Sequence, residues 1–76
     1  MISYEDALKK AKERRPDLNL VVEYENGYVF SSSEDAGYIG GMDHSPVVIL
    51  KKNGDYSTMI DFINSGTGKE IGRKTI

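Results

Sequence analysis

Tyr4, Ala7, Leu8 and Ala11 recur at helical spacing, with Lys9, Lys10, Lys12 and Glu13 on the opposite side. That alternation predicts an amphipathic helix near the start of the chain. Ser3 stands three residues before Asp6 in the manner of a capping box, with Asp in place of the usual Glu. Ile2 and Ala7 occupy the staple positions around it. Pro16 lacks an amide hydrogen and disfavours helix in the residue before it, so the helix should end by about Arg14. Basic residues in its last turn suit the helix dipole.

The period then changes. Leu20-Val21-Val22-Glu23-Tyr24-Glu25, Asn26-Gly27 and Tyr28-Val29-Phe30 form a hairpin signature. A two-residue Asn26-Gly27 turn would oppose Tyr24 to Val29 and put Tyr28 and Phe30 on the face of Glu23 and Glu25. A three-residue bulged turn, Glu25-Asn26-Gly27, would instead gather Leu20, Val22, Tyr24, Tyr28 and Phe30 on one face, with Val22 opposite Phe30. One residue of slip inverts every side chain, so burial favours the bulged turn. The same logic applied to Val47 through Ile60 predicts a second hairpin with the turn Lys52-Asn53-Gly54, Lys51 opposite Asp55 and Leu50 opposite Tyr56.

Two hairpins and one helix predict an α+β fold, with one N-terminal helix packed on a four-stranded antiparallel sheet, as a single domain over residues 1–76. Residues 66–76 read as a loosely ordered tail. Under these registers Val21, Val29, Val47, Ile49 and Met59 line a second sheet face, and so apolar a face needs a cover. A homodimer through Val47, Ile49 and Met59 would supply one, making the protein a self-associating structural or chaperone-like module. A foreign partner or the covering tail would serve as well.

Composition narrows the functions. A chain of 76 residues buries only ~60 % of the surface it exposes when unfolded. It contains no cysteine, so neither a disulfide nor a thiolate metal site braces the core. The acidic start does not read as a signal peptide, and no run reaches the ~20 apolar residues of a membrane span. A cytoplasmic protein is the expectation. Charge is segregated: residues 16–46 carry six acidic and no basic side chains, while 1–15 and 47–76 each carry five basic and three acidic ones. Such a middle would repel a phosphate backbone, which argues against nucleic acid as partner.

That middle contains SSSEDAGYIGGMDHSP, residues 31–46, with three glycines and the single histidine. Gly37-x-x-Gly40-Gly41 is neither the Walker nor the GxGxxG spacing. Glu34, Asp35, Asp43 and His44 include no spaced histidine pair and no oxygen-ligand loop pattern, so neither a metal nor any other cofactor is called for. His44 beside Ser45 lacks the third group that orients a base, and more simply caps a turn before Pro46. The residues give no enzyme. Two readings of the stretch stand side by side. It crosses from one hairpin to the next, or it is a recognition loop in which Tyr38, Ile39 and Met42 anchor a protein partner within a rim of Glu34, Asp35 and Asp43.

Finally, ISYEDALKKA at the start, GYVF closing the first hairpin, PVVILKKNGDY in the second and GTGK near the end resemble the bacterial immunity protein 35 domain family. The resemblance implies a cytoplasmic, non-enzymatic protein that binds and neutralises a toxin. An acidic segment would suit a basic toxin domain.

Overall fold

The computed structural model of the protein describes residues 2–32 and 46–76. Helix α1 spans Tyr4–Arg14. Its start is fixed as the sequence suggests: the Asp6 amide donates to Ser3 Oγ at 3.2 Å. Ala7 and Ala11, the small residues of its apolar stripe, are buried and let the helix lie close on the sheet.

The sheet has five strands, one more than expected: β1 Leu20–Tyr24, β2 Gly27–Ser31, β3 Val47–Leu50, β4 Tyr56–Ser57 and β5 Glu70–Thr75. Their spatial order is β4-β3-β2-β1-β5, and every pairing is antiparallel. A second helix, α2, spans Met59–Ser65. Residues expected to continue β4 to Ile60 instead leave the sheet after Ser57 and turn into that helix. Residues 70–75, expected to be a tail, pair with β1.

Both hairpin registers differ from expectation. In the first, Val21 opposes Phe30, Val22 opposes Val29 and Glu23 opposes Tyr28, so the turn is Glu25-Asn26. Gly27 belongs to β2, opposite Leu50. A Cβ there would lie 2.9 Å from the Ile49 carbonyl oxygen and 3.0 Å from the Phe62 ring, so the missing side chain serves packing. The turn's polar groups find partners far along the chain. Glu25 N donates to Lys69 O at 3.0 Å and Asn26 N to Thr67 O at 3.2 Å, while Asn26 O accepts from Lys51 N at 3.1 Å. In the second hairpin Val48 opposes Ser57 and Ile49 opposes Tyr56. Its loop is therefore Lys51-Lys52-Asn53-Gly54, closed by Gly54 N to Leu50 O at 2.8 Å. Gly54 has φ of 74°, the left-handed geometry that suits glycine.

These registers split the apolar residues between two layers. On one side α1 covers Val21, Tyr28, Phe30, Val47 and Ile49 together with Leu18. On the other, Phe62 of α2 seals Val29 and Val48, flanked by Tyr24, Leu50 and Met59. The central strands β2 and β3 are thus buried on both faces, which explains their unbroken apolar runs YVF and VVIL.

Candidate functional site

The anchors and rim assigned from sequence, Glu34, Asp35, Tyr38, Ile39, Met42 and Asp43, lie outside the described residues, as does His44. The proposed self-association set does not form a surface. Val47 and Ile49 are 8 % and 0 % exposed beneath α1, Val29 faces the opposite layer, and Met59 packs beside Phe62. The expected cover is intramolecular: α1 on one face and α2 on the other.

The apolar surface that does reach solvent is built by α2. Thr58 caps the helix, its Oγ1 accepting from Asp61 N at 3.1 Å. Phe62 points inward, fully buried, with its ring edge-on to Tyr24 at 5.8 Å between centroids. Anchored in this way, the helix holds Ile60 and Ile63 outward at 72 % and 57 % exposure. Residues three apart on a helix are neighbours, so these two make one patch. At the C-terminal end of α2 lies an open groove of about 450 Å³, lined by Asn26, Leu50, Lys52, Phe62, Ser65 and Gly66 among others. Asn26 Nδ2 donates to Gly66 O at 2.9 Å and ties the helix end to the first hairpin turn.

One ion pair borders the groove. Lys51 Nζ meets Glu23 Oε2 at 2.6 Å and sits 4.9 Å from the Tyr28 ring centroid. The pair lies at the end of the α1-side layer, so Glu23 shares a face with Tyr28 without being stranded in the core. Burial raises the Tyr28 phenol above its ordinary pKa, and the Glu23 carboxylate adds to this while Lys51 opposes it. Glu25 Oε1 accepts from Lys69 N at 2.8 Å. Among the described residues, no group of three or more acidic or histidine side chains could hold a metal ion. Ser65 Oγ donates to Phe62 O at 3.3 Å, a helix-internal contact. The groove combines apolar contact from Leu50 and Phe62 with the charged residues Glu25, Lys51 and Lys52.

A signal for α2 was present in the sequence. Thr58-Met59-Ile60-Asp61 repeats the spacing of Ser3-Tyr4-Glu5-Asp6, which did announce a helix. Reading Asp55 to Ile60 as one strand masked it, because Tyr56, Thr58 and Ile60 also alternate.

A helix on each face of an antiparallel sheet defines a small α+β domain. The chain belongs to the PepSY family: the family model, described as peptidase propeptide and YPEB domain, matches residues 1–74. This overturns the resemblance to immunity protein 35. The strings that carried that resemblance encode the capped helix α1, strands β2 and β3 with the loop that follows β3, and the link from α2 to β5. No curated protein and no solved structure matches the chain. Among the described residues, no helix is long and apolar enough to cross a membrane.

Proposed function

We propose that this is a non-enzymatic protein-binding module that engages its partner through the outer side of α2 and the adjoining groove. The observation that carries this reading is the pair Ile60 and Ile63, held in water on a short helix whose other side is locked into the core by Phe62. Single exposed apolar residues are ordinary, whereas neighbouring ones beside a groove mark a contact surface. The family description, peptidase propeptide and YPEB domain, favours a peptidase as the partner. Toxin neutralisation rested on the immunity resemblance and loses its support with it. Protein binding does not depend on that resemblance.

The test is calorimetric titration of the protein into the peptidase encoded nearest to it in its own genome, with hydrolysis of denatured casein followed in parallel. The parent should bind and slow hydrolysis. Ile60→Glu combined with Ile63→Glu should weaken binding at least about thirtyfold, since buried interface anchors each contribute ~1–2 kcal/mol. The variant should stay folded, because neither side chain is in the core. Equal binding by parent and variant would remove α2 as the contact surface.

A further inference from the structure

Strand β5 closes one edge of the sheet. All six of its residues are exposed, and none of the described residues pairs with its outer side. The opposite edge, β4, has only two residues. The direction of the β5 main-chain groups follows from the ladder. Ile76 N donates to Asn19 O at 2.8 Å, Lys74 opposes Val21 and Gly72 opposes Glu23. In an antiparallel ladder alternate residues turn their amide and carbonyl toward the neighbour. Gly72, Lys74 and Ile76 therefore face β1, and Arg73 and Thr75 present unused main-chain groups outward.

Side-chain features follow the same alternation. A Cβ on Gly72 would meet nothing within 4 Å. Beside it lies a hollow of about 210 Å³ on the α1 side, lined by Tyr4, Val21, Glu23, Gly72, Arg73 and Lys74. Lys74 Nζ stands 4.2 Å from the Tyr4 ring centroid, at the rim of that hollow. A strand added to this edge would direct the residue opposite Gly72 to the hollow and the residue opposite Lys74 to the ammonium group.

We propose that the β5 edge binds an extended segment of a partner protein by antiparallel strand addition, with an acidic residue opposite Lys74 and an apolar residue opposite Gly72. Read from N- to C-terminus, the segment is acidic-x-apolar, where x exchanges two main-chain hydrogen bonds with Arg73. Main-chain pairing gives the affinity and the alternate side-chain sites give the selection. Cations on an edge strand discourage indiscriminate pairing. Antiparallel β5–β5 pairing centred on Arg73 or Lys74 would oppose like charges, which disfavours a second copy in those registers. Arg73 is already paired with Glu70 at 2.6 Å, so the acidic residue is selected by Lys74.

This surface is separate from α2 and its test is independent. The probe is the peptide acetyl-Thr-Thr-Glu-Thr-Val-Thr-Thr-amide, titrated into the protein with amide resonances and exchange rates monitored. Binding should shift and slow the amides of Arg73 and Thr75. N-methylation of the central Thr, which removes one main-chain donor and leaves the protein untouched, should weaken binding at least about tenfold. Lys in place of Glu should weaken it severalfold, and the difference should shrink with salt and disappear in Lys74→Ala. Ile60→Glu with Ile63→Glu should leave peptide binding unchanged, so failure of the α2 assignment would not be confused with failure of this one. Equal binding of the N-methylated peptide, or unaltered Arg73 and Thr75 amides, would overturn strand addition. A concentration-dependent dimer that protects those amides without peptide would assign the edge to a second copy and likewise overturn the proposal.

Discussion

Gly27 is the first residue of β2 and packs beneath the Phe62 ring. Asn-Gly between apolar runs is a strong local turn signal, yet Gly27 lies within β2 because the Phe62 ring and the Ile49 carbonyl occupy the space a side chain would need. Gly27→Ala should therefore destabilise the protein by about 1–3 kcal/mol through overpacking. Chemical denaturation checks this, and an unchanged midpoint would mean that the glycine serves a turn after all. Tyr28 carries a second residue-scale consequence. Its pKa in the folded state is raised by burial and by Glu23. The neutral phenol therefore contributes stability that is full below the unfolded value of about 10 and is lost as pH rises through the folded value. Tyr28→Phe should flatten the alkaline decline in stability. The same decline in parent and variant would contradict this origin.

At the scale of elements, legibility followed how local the determinants were. Helix α1 could be read to its last residue, because Ser3, Pro16 and the apolar spacing all act within a turn or two. The hairpins were recognisable but their registers were not, since the Glu25-Asn26 turn is held by Lys51, Thr67, Gly66 and Lys69. Those partners are distant in sequence and invisible to turn rules. Strand β5 has no apolar alternation to reveal it and exists through its main-chain pairing with β1. For α2, a seven-residue helix is too short to persist alone, so its cap and its Phe62 anchor must both count. Thr58→Ala should cost about 1 kcal/mol and speed amide exchange in residues 59–65 more than in α1. Exchange rising equally in both helices would show that the cap acts on global stability and not on α2.

For the molecule as a whole, burial of β2 and β3 on both faces leaves little of the large apolar side-chain surface in water. Tyr56, Ile60, Ile63 and Ile71 are what remains exposed among the described residues. Self-association through the sheet loses its basis, because its residues are spent on the two cores. The acidic segment drew attention in the sequence because its composition is unusual, whereas the α2 patch is made of ordinary isoleucines and becomes visible only when Phe62 sets the helix orientation. The most direct measurement is a hydrogen-exchange footprint of the protein in the presence of the peptidase proposed above as its partner. The account predicts slowed exchange in residues 59–66 and in 50–52 at the groove. A footprint confined to residues 33–45, with α2 exchanging as in the free protein, would contradict it.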